Sequence, residues 1–133
     1  TCILLNQRLD DIPKTINMYV NDAIGYKMTP EQVLYYSPYC FGTADAISYK
    51  HGQLRIHDLK TGKGVTHMEQ LMVYASIFCL EYDVDASDIE IELRIYQNNK
   101  VRVCNPDVTE ILPIMDKIVT SSKLLEEWEN SYE

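Results

Sequence analysis

The sequence predicts an α/β fold in which a small mixed β-sheet is flanked by helices. Apolar residues recur at helical spacing in three segments, and they alternate with polar residues in the strand-like segments between them. The resulting order of helix, strands, helix, strand pair and helix is typical of a sheet with helices packed on it. At 133 residues, 46% of them hydrophobic, we predict one domain over residues 1–133.

The first half of the chain predicts a helix followed by a β-hairpin. A helix is predicted from Pro13 to Gly25. The β-rich residues 33–41 contain Pro38, which favours an edge or irregular strand. Strands are then predicted over residues 44–49 and 54–59, joined by a turn.

The second half predicts two helices around a strand pair. After a glycine-containing break, residues 66–82 show helical spacing with few charges, which indicates a central helix. A strand pair is predicted over residues 89–103, with its turn at residues 98–99. The last helix is predicted over residues 105–128, with an interruption at Pro113.

The charge of the chain is unevenly distributed. The formal net charge is -8, which by itself argues against nucleic acid as a partner. Residues 50–67 nevertheless contain four basic residues, one acid and all three histidines, whereas residues 81–133 contain thirteen acidic and five basic residues. The basic segment is compatible with a solvated hairpin or with a binding surface. We expect the acidic third to face away from a polyanion or toward a protein partner.

Other sequence features bear on location and redox state. The chain has no run of about 18 apolar residues and no secretory leader, so we predict a cytoplasmic protein without a membrane partner. Because residue 1 is Thr, we expect that sequence upstream is missing. The four cysteines form no C-x-x-C pair, which favours buried or free thiols over a zinc or redox site: Cys2, Cys40, Cys79 and Cys104.

Three residues on the predicted hairpin could carry chemistry. Asp58 and Lys60 flank Leu59, so alternation places the carboxylate and the ammonium on one face. Asp45 lies 13 residues earlier on the paired strand and can come beside Asp58. Two adjacent carboxylates repel each other unless a cation lies between them, and oxygen ligands suit Mg²⁺ or Mn²⁺. Taken alone, the D-x-K pattern is a weak signal and is more typical of a surface ion pair.

The next helix adds two candidates. Gln70 and Tyr74 are four residues apart and share a helix face, from which they could reach the same site. Tyr74 taken alone would be read as a core aromatic. These elements together would suit phosphodiester hydrolysis, with a metal polarising the phosphoryl group and Lys60 stabilising negative charge.

In combination these motifs resemble the RecB-like branch of the PD-(D/E)XK nuclease superfamily, and in particular its phage- and prophage-encoded members. The family pattern G-x-x-D, then D-x-K-T-G, then Q-x-x-x-Y occurs in order at residues 42–45, 58–62 and 70–74. The resemblance implies a restriction-endonuclease-like core and a metal-dependent deoxyribonuclease, with exonuclease action expected. It places the protein in phage or bacterial DNA recombination, repair or replication.

The resemblance also implies roles for individual residues. Asp45 and Asp58 would bind Mg²⁺ or Mn²⁺ with the backbone carbonyl of Leu59, and Lys60 would be the catalytic lysine. Gln70 and Tyr74 would orient Lys60 or contact DNA. Lys63 and His67 are further candidates for DNA phosphate, although His67 also suits a solvated first helical turn. Ring-forming relatives make a homo-oligomer a further expectation.

The sequence departs from the family pattern in its upstream and C-terminal ligands. No histidine precedes His51, so the upstream His or Glu ligand of many members is missing or replaced. Glu31 could replace it, although its position after Pro30 suggests the first turn of a helix. Only Cys104 lies near the C-terminus, so no iron–sulfur cluster is predicted. The alternative function is a non-catalytic nuclease-like module that binds DNA ends or a replication or recombination protein.

Overall fold

The computed structural model describes residues 14–62 and 64–131. A 3₁₀ turn at Ala86–Asp88 precedes the fourth strand. The helices and strands follow one another along the chain as α1 (Lys14–Gly25), β1 (Thr29–Ser37), β2 (Cys40–Lys50), β3 (Gln53–Leu59), α2 (Glu69–Glu81), β4 (Glu90–Gln97), β5 (Lys100–Cys104) and α3 (Val108–Asn130).

The five strands form one mixed sheet in the order β1-β2-β3-β4-β5. β3 and β4 run parallel and are joined by a crossover that contains α2, whereas the other neighbours are antiparallel. The predicted fold class, a small mixed sheet flanked by helices, is confirmed.

The core has one layer on each face of the sheet. The larger layer lies under α2 and α3, with Leu34, Leu54, Ile56, Leu71, Leu93 and Ile111 fully buried. The smaller layer lies under α1, where Tyr19, Val20 and Ala23 pack with Ala46 and Tyr96. In residues 14–62 and 64–131, no helix is both long and apolar enough to cross a membrane.

Several element boundaries differ from the predictions. β2 begins at Cys40 and runs through Gly42, and α2 begins only at Glu69. α3 is continuous through Pro113, so the predicted interruption is wrong. Its first turn is stabilised by a capping box in which the Asp107 amide donates to Glu110 Oε2 at 3.0 Å. Tertiary packing of Ile111 on the core outweighs the one backbone hydrogen bond that Pro113 removes.

Candidate active site

The candidate site lies where β2 and β3 separate. Their pairing runs from the connecting turn to Ala46 and His57. Beyond that point β2 remains paired with β1, and β3 remains paired with β4. Asp45 and Asp58 are the first residues past the end of the β2–β3 pairing, so they stand across from each other. The structure therefore brings the two predicted carboxylates together.

The two aspartates have different environments. Asp45 is partly exposed, and its Oδ2 accepts a hydrogen bond from the Leu59 amide at 2.9 Å. Asp58 is only 7% exposed. Burial, reinforced by the close contact with Asp45, raises the pKa of Asp58 to about 6, although Lys60 acts in the opposite direction. The site thus holds a buried carboxylate whose negative charge is only partly stabilised by the surrounding residues.

Among the described residues, Lys60 forms an ion pair with this group of carboxylates. Its Nζ lies 2.9 Å from Asp58 Oδ2. Apart from this ammonium, no donor among the described residues reaches Asp58 Oδ2. The contact with Asp58, together with the charge of Asp45, raises the pKa of Lys60. Lys60 is therefore an ammonium at neutral pH, paired with a buried carboxylate rather than with a surface one.

The helix motif meets the strand motif through Gly42. A Cβ atom at Gly42 would lie 2.6 Å from Tyr74 Cε1, so only glycine lets the tyrosine ring rest on β2. Gln70 Nε2 in turn donates to Tyr74 Oη at 3.0 Å. Asp45, Asp58 and Lys60 thus form one group, and Gln70 and Tyr74 form a second pair that lies against β2 at Gly42.

Tyr19 is a site neighbour that sequence reasoning missed. It is buried on α1, in the same apolar cluster as Ala46 and Leu59, which directly follow the two aspartates. Burial, with smaller contributions from the charges of Asp45, Asp58 and Glu31, raises the pKa of its hydroxyl. In the sequence Tyr19 only continues the apolar spacing of α1, and nothing there signals its proximity to carboxylates.

Glu31 lies in β1, so the suggested helix start is wrong. The flanking pairs are Pro30 with Ala46 and Gln32 with Ala44. Glu31 therefore occupies the position across from Asp45, with a left-handed backbone (φ 52°) and an exposed side chain. The described residues contain no group of three or more His, Cys, Asp or Glu side chains arranged to hold a metal. Glu31 is near the pair but is not assembled with it.

The remaining candidates are distributed over three environments. His57 is fully buried on the α1 face, as alternation predicts, and burial lowers its pKa to about 4. His67 is exposed, and its Nδ1 lies 4.0 Å from Glu69 Oε2. Lys63 lies outside the described residues, and the orientation of the Leu59 carbonyl stays a prediction. Among the described cysteines, Cys40, Cys79 and Cys104 are free thiols.

Comparison with known proteins identifies a family. The sequence model of DUF2800, described as a protein of unknown function, matches residues 9–124. The chain belongs to the DUF2800 family. Among solved structures, this DUF2800 chain is similar to the one titled "Crystal structure of SSO0001", with a TM-score of 0.41 and 12% identity over 80% of this chain. It spans 56% of that chain's length, and so distant a likeness adds nothing to the argument.

The environment of Asp58 predicts that its charge destabilises this DUF2800 chain when no metal is bound. Because the folded-state pKa is raised above 3.8, ionisation costs folding free energy as the pH rises through about 6. In EDTA, Asp58→Asn is expected to raise the melting temperature at pH 8 and to have little effect at pH 4. Circular dichroism at both pH values measures this difference.

The control for that experiment is Asp116→Asn, which changes the same charge at an exposed position of α3. It should leave the melting temperature nearly unchanged at both pH values. A lower melting temperature for Asp58→Asn at pH 8 would show that the Asp58 charge is compensated in the metal-free protein.

Proposed function

We propose that the chain is a divalent-metal-dependent deoxyribonuclease that hydrolyses phosphodiester bonds, with exonuclease action on DNA ends. The observation that supports it most directly is the pair of facing carboxylates, one of them buried and contacted by the Lys60 ammonium at 2.9 Å. A buried carboxylate of raised pKa beside a second carboxylate is typical of a functional site rather than of a structural ion pair.

The residues present fit a magnesium or manganese ion. Mg²⁺ is usually held by one or two protein carboxylates together with substrate phosphates and water. Asp45 and Asp58 supply two such carboxylates, and the resemblance adds the Leu59 carbonyl. When bound, the ion would polarise a phosphoryl oxygen and lower the pKa of coordinated water.

The side chains around the two carboxylates have distinct roles in this proposal. Lys60 lies 2.9 Å from Asp58, and in the metal-free chain that contact raises its pKa, so its ammonium can donate hydrogen bonds at neutral pH. It can hold the attacking water or stabilise charge on the phosphate. The Gln70 amide fixes the Tyr74 hydroxyl at 3.0 Å, and Tyr74 can then orient Lys60 or a substrate phosphate. The reaction would serve phage or bacterial DNA recombination, repair or replication.

One observation favours a second candidate function. Within the part of the chain that the structure describes, no third side-chain ligand is assembled with the two aspartates. A nuclease-like module that binds DNA ends or a recombination or replication protein without cutting would need no complete metal site. Calorimetric titration with Mn²⁺ separates the two candidates, because only the nuclease requires metal binding at the carboxylate pair.

The experiment that tests the nuclease is metal removal. End-labelled linear DNA, single- and double-stranded, is incubated with the protein in Mg²⁺, in Mn²⁺ or in EDTA. We expect degradation with either metal and none in EDTA, and the order in which products appear reports exonuclease action. Intact DNA in both metals, with DNA binding preserved, would favour the non-catalytic module.

A further inference from the structure

The register of the sheet places an arginine in one row with Asp58. Asp58 is paired with Ile95 of β4, and Ile95 is paired with Arg102 of β5. Paired residues present their side chains on the same face of a sheet, and Ile95 is fully buried in the larger core layer, under α2 and α3. Asp58 and Arg102 therefore lie on that same face. Two strand spacings of about 4.8 Å separate their backbones, which makes about 10 Å across the sheet.

The Arg102 guanidinium is held in place but is not neutralised. The side chain is exposed on the edge strand β5, and its Nη1 donates to the carbonyl and hydroxyl oxygens of Thr66 at 3.1 and 3.2 Å. Among the described residues, Arg102 forms no ion pair. The guanidinium therefore keeps its full charge, and the donors that do not contact Thr66 are open to an anion.

The loop between β3 and α2 connects the two ends of this row. Residues 61–67, which we call the glycine loop, begin next to Lys60 and contact Arg102 through Thr66. Between these points, Gln97 at the end of β4 donates to the loop carbonyls of residues 62 and 64 at 2.8 and 3.0 Å. The loop contains no acidic residue. A polyanion held at the carboxylate pair would therefore meet a basic side chain at each end of the loop and no carboxylate within it.

We infer that Arg102 binds a phosphate of the DNA backbone held at the carboxylate pair, within about three phosphates of the scissile one. This inference rests on the proposed nuclease function for its substrate. A strand of B-form DNA has one phosphate per about 3.4 Å of helix axis, so the distance from Asp58 to Arg102 corresponds to about three phosphates. The planar guanidinium matches the geometry of a phosphate, and a backbone contact adds affinity without reading sequence.

The first test counts phosphate contacts while hydrolysis is prevented. Fluorescence anisotropy of a labelled 20-base-pair duplex is followed in EDTA at several NaCl concentrations. Removal of one phosphate contact by Arg102→Gln is expected to lower the slope of log affinity against log salt by about 0.9, because each contact releases counterions. Arg102→Lys should keep the original slope, since it preserves the charge.

Two controls make the slope specific to this contact. Lys117→Gln on the distant helix α3 also takes the net charge from -8 to -9 but should leave the slope nearly unchanged. Thr66→Val removes the hydroxyl contact of Arg102 and keeps the guanidinium, so it should leave the slope unchanged as well. Circular dichroism verifies that each variant is folded. A wild-type slope for Arg102→Gln, or an equal fall in either control, would overturn the inference.

The second test asks whether the contact is made in the productive complex. In saturating Mg²⁺, Arg102→Gln is expected to raise the KM for duplex DNA about tenfold at low salt. It should leave kcat nearly unchanged, because a contact made equally in the ground state and the transition state contributes only to binding. An unchanged KM would show that Arg102 does not contact DNA held at the carboxylates.

The outcomes also separate the arginine from the nuclease. If the slope falls only in Arg102→Gln while no metal supports hydrolysis, the phosphate contact stands and the nuclease proposal fails. If metal-dependent hydrolysis persists while the slope and the KM are insensitive to Arg102→Gln, the nuclease stands and the phosphate contact fails.

Discussion

Lys60→Ala is expected to reduce metal-dependent DNA degradation on the order of 10³-fold while leaving the fold intact. The ammonium lies 2.9 Å from Asp58 Oδ2, beside the carboxylates that would hold the metal and the phosphate. Removing one preorganised group that stabilises transition-state charge typically costs about 10²–10³ in rate. The rate is measured with end-labelled duplex DNA in saturating Mg²⁺, with single-turnover conditions isolating the chemical step.

Two comparisons make this result specific to the site. Asp58→Ala should abolish degradation equally and should also weaken Mn²⁺ binding, whereas Lys60→Ala should retain metal binding. Lys117→Ala, on the distant helix α3, should degrade DNA at the wild-type rate. Undiminished activity of purified Lys60→Ala would refute the catalytic assignment, because a contaminating nuclease or another site would then account for the activity.

The fold was predictable where local chemistry and tertiary structure agree. Asn98 and Asn99 both have positive φ, 53° and 61°, as a two-residue hairpin turn requires. The alternation of β4 likewise corresponds to a strand with Ile91, Leu93 and Ile95 buried on one face and charged residues on the other. The predicted interruption of α3 at Pro113 was wrong, because a proline near the start of a helix removes only one hydrogen bond. The burial of Ile111 compensates for that loss.

The candidate site was predictable in its motifs but not in its surroundings. Asp45 and Asp58 come together because a hairpin connects their strands. Since side chains alternate between the two faces of each strand, the sequence is enough to predict that the two carboxylates share a face. Glu31 illustrates the opposite case, since Pro30 suggested a helix start while sheet pairing imposed a strand. Tyr19 reaches the aspartates only through the packing of α1 on the sheet, a long-range contact without a local signal.

The network that holds α1 on the sheet was equally invisible in the sequence. Arg94 donates to Glu92 Oε1 on its own strand at 2.9 Å, and its Nη1 lies 3.4 Å from Asp22 of α1. Tyr96 donates to the same Asp22 carboxylate at 2.7 Å. Asp22 is separated from Arg94 and Tyr96 by more than 70 residues, and no periodic pattern marks these contacts. One polar network therefore fixes the position of α1 relative to the strands that carry the site.

Arg94→Met is expected to lower the free energy of unfolding by about 3 kcal/mol. The Arg94 side chain is 18% exposed and the Glu92 side chain 13% exposed. Removal of the arginine therefore leaves the Glu92 carboxylate with one partner fewer and little access to water. Arg55 still pairs with Glu92 at 2.6 Å, which limits the loss at that carboxylate. Urea denaturation followed by circular dichroism measures the change.

Arg102→Met is the matched control, because this exposed arginine of β5 donates to the Thr66 carbonyl and hydroxyl and forms no ion pair among the described residues. Its loss should cost about 0.5 kcal/mol, and a similar loss for both variants would mean that the Arg94 network contributes no more than a surface contact. Because α1 also carries Tyr19, partial release of the helix in Arg94→Met should disturb the site without altering either aspartate. Faster amide hydrogen exchange in α1 than in α3 would locate the effect there, since local opening begins where stabilising contacts have been removed.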